Sequence, residues 1–121
     1  MSERILILDD DNDILEILSL LLAERGYEIR TSNHGETIFE DIQDFQPGLI
    51  LMDIMLAGMD GRALCRDIKK NPLTNLLPVI LISGTHDIVG SLGLPGAPND
   101  FLAKPFDVDQ LHAKIAKQLV A

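Results

Sequence analysis

The first apolar run of the sequence is Ile5-Leu6-Ile7-Leu8, and it leads directly into Asp9-Asp10-Asp11. An unbroken apolar run of this length, ended by polar residues, is typical of a strand that is buried on both faces. The residues Ile14, Leu18 and Leu22 follow with the spacing of one face of a helix. The chain therefore begins with a buried strand, an acidic loop and an amphipathic helix, a unit that predicts a parallel sheet covered by helices.

The same alternation of strand and helix continues to the end of the chain. Further strands are predicted at 27–31, 49–52, 79–82 and 101–103. Helical patterns separate the first four strands from one another, and a further one follows the last strand. Asp60 and Asp107 are predicted to cap the third and the last helix, and Asn33 with Glu36 forms a capping-box pattern before the second.

The apolar patterns also predict the order of the strands in the sheet. The first, third and fourth strands are continuously apolar, which favours the centre of the sheet. The second strand alternates and the fifth is short, which favours the edges. We expect an α/β fold with a doubly wound, five-stranded parallel sheet of order 2-1-3-4-5, formed by residues 1–121 as a single domain.

Composition and charge exclude several classes of protein. The chain has 121 residues, 46% of them hydrophobic and 24% charged, which is an ordinary globular mixture. Its apolar runs are too short to span a bilayer, the N-terminus lacks the pattern of a secretion signal, and a lone Cys65 cannot form an internal disulfide. A net charge of -9 disfavours nucleic acid and anionic lipid. We expect a cytoplasmic protein with no direct nucleic acid or membrane partner.

One segment departs from the helical pattern. Residues 85–99 stand where a fourth helix is due, but they contain glycines and prolines at Gly90, Gly93, Pro95, Gly96 and Pro98. Relative to alanine, a glycine inside a helix costs about 1 kcal/mol and a proline about 3 kcal/mol. The segment is therefore predicted to hold a short helix or none.

The acidic residues gather at the ends of the central strands. In open α/β sheets, ligands bind beyond the carboxyl ends of the strands, where the strand order reverses, here between the first and third strands. Those ends carry Asp9, Asp10 and Asp53. Carboxylates on neighbouring strands converge, and their repulsion is relieved by protonation or by a cation. Hard oxygen ligands with room for water favour Mg²⁺.

Two further polar residues point toward the same rim. Ser83 ends the fourth predicted strand, and Lys104 follows the fifth. A lysine stem can largely bridge the roughly 10 Å between strands three and five. Carboxylates, a hydroxyl, an ammonium and a metal ion together suit phosphoryl transfer, in which positioning and charge neutralisation supply most of the catalysis.

Four motifs in these positions identify a family. They are Ile5-Leu6-Ile7-Leu8-Asp9-Asp10-Asp11, Leu51-Met52-Asp53-Ile54-Met55, Ile82-Ser83-Gly84 and Lys104-Pro105-Phe106. Over nearly its whole length the chain resembles the receiver domain of two-component response regulators. The resemblance implies a flavodoxin-like fold and an acyl phosphate formed on Asp53, with a sensor histidine kinase or a histidine phosphotransfer protein as the donor.

The resemblance also implies a role for each of the other site residues. Asp9, Asp10, Asp53 and the backbone carbonyl of Met55 would hold Mg²⁺. Ser83 would bond a phosphoryl oxygen and Lys104 would pair with the phosphate. Phe101 would be the buried aromatic switch, and the Lys104-Pro105 peptide bond would be cis.

The predicted function is that of a phosphoacceptor signalling domain that assists its own phosphorylation and dephosphorylation and is not an enzyme acting on a separate substrate. Phosphorylation would switch a protein-interaction surface, read by a downstream protein target or by an output domain missing from this sequence. The alternative is a receiver-like docking module that is not phosphorylated. A flavodoxin-like electron carrier is disfavoured, because the aspartates would repel a flavin phosphate.

Overall fold

The computed structural model describes residues 3–84 and 96–119. The long strands are β1 (Arg4–Leu8), β2 (Glu28–Ser32), β3 (Leu49–Asp53), β6 (Val79–Ser83) and β7 (Asp100–Ala103). A short hairpin is formed by β4 (Met55–Leu56) and β5 (Met59–Asp60). The helices in this part of the chain are α1 (Asn12–Ala23), α2 (Ile38–Phe45), α3 (Gly61–Lys70) and α4 (Val108–Leu119). None of them is long and apolar enough to cross a membrane.

The five long strands form one parallel sheet in the order β2-β1-β3-β6-β7. This confirms the predicted α/β fold and the predicted order of strands. Every residue of β3 and β6 is buried, whereas β2 at one edge is half-exposed. The continuous apolar runs were therefore a reliable sign of central strands, because only central strands are covered on both faces.

Two separate cores lie on the two faces of the sheet, because successive side chains of a strand point in opposite directions. On one face α2 and α3 pack against alternate strand residues, among them Leu6, Ile50 and Leu81. On the other face α1 and α4 pack against the intervening residues, among them Ile7 and Ile80. This sandwich fixes the strands in register, and with them the positions of the residues at their carboxyl ends.

Of the helix caps predicted from the sequence, those at Asp60 and Asp107 are present and the capping box before α2 is not. Asp60 accepts a hydrogen bond from the Arg62 N–H, and Asp107 accepts from the Asp109 and Gln110 N–H groups, so both predicted caps are confirmed. The capping box predicted at Asn33 and Glu36 is wrong. Helix α2 starts later, at Ile38, and its N-cap makes no side-chain hydrogen bond.

The displaced start of α2 has a packing cause. A Cβ atom added at Gly35 would lie 2.5 Å from Leu64 Cδ1 and 3.2 Å from Met59 Sδ, so the chain at this point lies directly against α3 and the hairpin. Asn33 is drawn into other contacts: its Oδ1 lies 2.8 Å from His34 Nδ1. A capping pattern read from the sequence contains no information on such long-range packing.

The prediction for residues 85–99 falls largely outside the described residues, which resume at Gly96. Gly96 has a φ of +79°, a left-handed conformation that glycine adopts without strain. Two residues later Pro98 is buried, and the chain then enters β7.

Gly61 allows the closest backbone approach near the end of β3. Its N–H donates to the Ile54 carbonyl over 2.7 Å, and a Cβ atom at this position would overlap the Asp53 carbonyl oxygen and lie 2.9 Å from Ile54 Cα. We expect Gly61→Ala to lower the free energy of unfolding by about 2 kcal/mol or more, because two rigid backbone segments must separate. Urea unfolding followed by circular dichroism measures this change.

Gly84→Ala is the matched control for this prediction. A Cβ at Gly84 meets no atom within 4 Å among the residues that the structure describes, so this variant should unfold near the wild-type midpoint. Equal midpoints for Gly61→Ala and wild type would contradict the role given to Gly61.

Candidate functional site

Three carboxylates meet at the carboxyl edge of the sheet, as the sequence predicts. Asp53 is the last residue of β3, and Asp9 and Asp10 directly follow β1, which pairs with β3. One oxygen from each of the three lies within 4.8 Å of the others. Asp9 is fully buried and Asp53 is 5% exposed, whereas Asp10 is exposed to solvent.

Lys104 places a cation between the two buried carboxylates. Its Nζ atom lies 2.7 Å from Asp53 Oδ2 and 3.3 Å from Asp9 Oδ2. The backbone N–H of Lys104 donates to the backbone carbonyl of Ser83 over 2.8 Å, and this hydrogen bond connects the end of β7 to the end of β6. The peptide bond between Lys104 and Pro105 is cis. The lysine stem thus reaches from the edge strand to the centre of the sheet, as its spacing predicted.

The second oxygen of each buried carboxylate is held by the backbone. Asp9 Oδ1 accepts from the Asp11 N–H over 2.9 Å, and Asp53 Oδ1 accepts from the Met55 N–H over 3.1 Å. Each side chain therefore has a fixed rotation, with Oδ1 turned to the loop that follows its strand and Oδ2 turned to Lys104. Such restraint is the positioning that a reacting carboxylate requires.

The electrostatics of the cluster favour an added cation. Burial, together with the nearby charge of Asp53, raises the pKa of Asp9 from 3.8 to about 6, although the Asp11 N–H and Lys104 act against the shift. Burial alone would lower the pKa of Lys104, but its hydrogen bonds and ion pairs with Asp53 and Asp9 outweigh burial and raise it. One ammonium group thus pairs with only two of the three carboxylates in the cluster.

The donor set fits Mg²⁺. All three groups are hard carboxylate oxygens at one open rim, and one of them, Asp10, is exposed and leaves room for bound water. The proposed fourth ligand is the backbone carbonyl of Met55, which is the first residue of β4 and lies two positions after Asp53. Met55 is 73% exposed.

A cavity of about 740 Å³ opens in front of Asp53. Ser83, Gly84 and Lys104 line one part of it, and the β4–β5 hairpin lines another. Ser83 is 6% exposed at the end of β6. The structure therefore brings Asp53, Ser83, Lys104 and Met55 to one cavity, with Asp9 and Asp10 beside it.

Phe101 is the predicted site residue that lies apart from this cavity. It pairs with Leu81 in the sheet, is 8% exposed, and belongs to the core under α2 and α3. Its predicted role as a switch stays a prediction.

Two residues of the cavity wall were missed by the sequence analysis. Asp60 and Arg62 line it, with Arg62 Nη2 2.9 Å from Asp60 Oδ2 and Arg62 Nε 3.2 Å from Asp60 Oδ1. The hydrogen bond from Arg62 lowers the pKa of Asp60, so this carboxylate already has its cation. The Asp-x-Arg spacing at the start of a helix was the available signal for the pair.

Comparisons with known proteins agree with this geometry. The family model described as "Response regulator receiver domain" matches residues 5–116. The chain is similar to the response regulator PleD of Caulobacter vibrioides (37% identity; 95% of this chain, 26% of that protein) and to the nisin biosynthesis regulatory protein NisR of Lactococcus lactis (37% identity; 95% and 49%). The chain thus spans half or less of the length of these relatives.

A solved structure gives the same result. The crystal structure of the receiver domain of NtrX from Brucella abortus superposes on this chain with a TM-score of 0.84 at 35% identity, covering 95% of this chain and 97% of that domain.

The raised pKa of Asp9 has a measurable consequence for stability. Protonation of Asp9 stabilises the folded state fully below pH 3.8, and this contribution is lost as the pH rises through about 6. In metal-free buffer near neutral pH, Asp9→Asn should therefore unfold at a higher urea concentration than wild type. Its free energy of unfolding should exceed that of wild type by up to about 3 kcal/mol. The advantage should shrink as the pH falls from 6 toward 4.

Glu16→Gln, which removes an exposed carboxyl on α1, is the control and should follow wild type. An Asp9→Asn variant that is no more stable than wild type near neutral pH would contradict the electrostatic account of the cluster.

Proposed function

The chain belongs to the family of response regulator receiver domains, and we propose that it acts there as a phosphoacceptor whose Asp53 carboxylate takes a phosphoryl group from a phosphohistidine. One observation carries the proposal. Asp53 is a nearly buried carboxylate with a lysine ammonium 2.7 Å from one oxygen, and it lines an open cavity of about 740 Å³.

In the proposed reaction, an Asp53 oxygen forms a bond to phosphorus while the bond from phosphorus to the donor imidazole nitrogen breaks. The electron pair of the broken bond goes to that nitrogen, which takes a proton from solvent. The hydrogen bond from the Met55 N–H orients the Asp53 carboxylate, and Lys104 offsets the negative charge that the phosphoryl group brings. Hydrolysis of the acyl phosphate restores Asp53.

Asp9, Asp10, Asp53 and the Met55 carbonyl would hold the Mg²⁺ ion, which supplies neutralisation of charge on the phosphoryl oxygens. Ser83 lines the cavity at the end of β6 and would hydrogen-bond a phosphoryl oxygen. The bond from the Lys104 N–H to the Ser83 carbonyl links these two residues, so a movement of either strand end reaches the other. Phe101, a β7 residue in the core on the face of the sheet that α2 and α3 cover, would respond through that core.

As a signalling domain formed by residues 1–121, the chain would receive its phosphoryl group from a sensor histidine kinase or a histidine phosphotransfer protein in the cytoplasm. It would pass the signal to a protein target or to an output domain. With a net charge of -9, it would not bind nucleic acid or a membrane directly. No substrate other than its own Asp53 is proposed, so we do not classify it as an enzyme.

The second candidate is a receiver-like docking module that is not phosphorylated. The glycine- and proline-rich sequence of residues 85–99 favours it, because this composition is unusual for the position of a helix. Against it stands the preserved set of Asp9, Asp10, Asp53 and Lys104 with the contacts described above.

Intact-mass spectrometry after incubation with acetyl phosphate distinguishes these two functions. We expect wild type to gain one phosphoryl group in the presence of Mg²⁺ and none in the presence of a chelator. Asp53→Asn should gain none, because the amide is not a nucleophile for phosphorus.

Asp60→Asn is the matched control. It removes a carboxylate from the same cavity but keeps a side chain that caps α3, and it lies outside the cluster of Asp9, Asp10 and Asp53. It should gain the phosphoryl group as wild type does. Absence of any adduct on wild type, together with failure of beryllofluoride and Mg²⁺ to bind, would favour the docking module.

Lys104 should also weaken metal binding, because its ammonium occupies the same carboxylate oxygens. We expect Lys104→Gln to bind Mg²⁺ roughly tenfold more tightly than wild type by isothermal titration calorimetry. Lys114→Gln is the control, since Lys114 pairs with Asp100 at 3.0 Å, away from the cluster. An unchanged or weaker affinity of Lys104→Gln for Mg²⁺ would refute this competition.

A further inference from the structure

The amino end of β7 is fastened to β6 by Asn99, the residue that directly precedes β7. The Asn99 N–H donates to the Val79 carbonyl over 2.8 Å. The Val79 N–H donates in turn to Asn99 Oδ1 over 2.9 Å, so a side-chain oxygen takes the place of a backbone acceptor. Val79 is fully buried, and a buried N–H requires an acceptor. Asn99 therefore favours one alignment of β7 along β6.

Lys69, in the last turn of α3, holds the same Asn99 oxygen. Its Nζ atom donates to Asn99 Oδ1 over 2.6 Å and to the Leu77 carbonyl over 2.8 Å. Lys69 is half-buried, and burial lowers its pKa. Because both acceptors are neutral oxygens, these two hydrogen bonds must compensate the hydration that the ammonium loses. One side chain thus joins α3, the loop before β6 and the residue before β7.

The other end of β7 leads to Lys104. The strand has only four residues and lies at the edge of the sheet, so few hydrogen bonds determine how it aligns with β6. A displacement by one residue would move the Lys104 backbone by about 3.3 Å along β6. It would carry the ammonium away from Asp53 and Asp9, which now lie 2.7 Å and 3.3 Å from it. The position of Lys104 therefore depends on the alignment of β7.

Helix α3 connects this fastening to the site, because its first residue packs against the end of β3. The Gly61 N–H donates to the Ile54 carbonyl over 2.7 Å, directly after Asp53. The helix has 10 residues, so it is a stiff rod of about 15 Å with Lys69 near its far end. Through Lys69, the start of β7 is placed relative to the strand that carries Asp53.

We propose that Lys69 is a positioning residue for the Asp53 site, which together with Asn99 fixes the alignment of β7 on β6. From this alignment Lys104 reaches the Asp53 carboxylate. The inference rests on the proposed function only for the part that Lys104 takes in phosphoryl transfer. The alignment of β7 is a property of the fold, and it can be measured without a phosphoryl donor. Lys69 would act on phosphorylation through Lys104 and not through contact with the donor.

Amide hydrogen exchange, measured by NMR in metal-free buffer, tests the alignment directly. We expect Lys69→Met, which keeps the apolar stem and removes the ammonium, to speed exchange of the Asn99 and Lys104 amides about tenfold relative to the central sheet. The Ile54 amide, which donates to the Ile82 carbonyl over 3.0 Å, is the internal reference for the central sheet. The ratio of the exchange rates removes any change in global stability.

Lys70→Met is the matched control, because Lys70 is the exposed neighbour of Lys69 on α3 and its loss changes the charge equally. This variant should keep the wild-type exchange ratio. Asn99→Ala removes the shared acceptor and should raise the ratio as Lys69→Met does, so the test stands if one of these variants folds poorly. Asn99→Asp keeps an acceptor oxygen for both donors and should keep the wild-type ratio.

The rate of phosphorylation by acetyl phosphate with Mg²⁺ is the second measurement. We expect Lys69→Met to lower the second-order rate constant about tenfold, and Lys70→Met to leave it unchanged. Lys69→Met/Lys104→Gln should be no slower than Lys104→Gln alone, because Lys69 acts through Lys104. If wild type takes up no phosphoryl group, the proposed function fails, whereas the exchange ratio still decides whether Lys69 fixes β7.

Two results would overturn the inference. The first is an exchange ratio that is unchanged in Lys69→Met, or that rises equally in Lys70→Met. The second is an additive loss of rate in Lys69→Met/Lys104→Gln, which would mean that Lys69 affects phosphorylation independently of Lys104.

Discussion

The repulsion between carboxylates at the carboxyl edge of the sheet is the constraint to which the rest of the site is fitted. Asp9 and Asp53 are nearly or fully buried, and Asp10 stands beside them. Burial of like charges is unfavourable unless cations and hydrogen-bond donors compensate it. Lys104 and the backbone amides of Asp11 and Met55 supply that compensation in part. The remaining charge imbalance favours an added cation, and this is the basis on which Mg²⁺ binding and phosphorylation of Asp53 are proposed.

The fold keeps this unfavourable cluster in place by packing both faces of the sheet. Alternate residues of each central strand enter one core with α2 and α3 and the other with α1 and α4. A shift of β1 or β3 by one residue would exchange the two sets of side chains, which fixes the register. The energy that holds Asp9 next to Asp53 therefore comes from apolar burial along the strands and not from the cluster itself.

Much of this arrangement could be predicted from the sequence, for physical reasons that differ between elements. The strand order followed from β3 and β6 being apolar throughout, and the convergence of Asp9, Asp53 and Lys104 followed from that order. The β4–β5 hairpin was not predicted, because strands of two residues have too few positions for a periodic pattern. The late start of α2 was also missed, since it depends on contact of Gly35 with residues distant in the sequence.

The small size of the β4–β5 hairpin determines how easily one wall of the Asp53 cavity can open locally. Each strand has two residues, and the two pair with each other and not with the main sheet. A unit with so few hydrogen bonds opens locally at a free energy far below that of global unfolding. Because the hairpin forms one wall of the Asp53 cavity, its local opening would change the shape of that cavity. Sequence changes in residues 56–60 would thus reshape the wall of the proposed site without altering any group to which a chemical role is assigned.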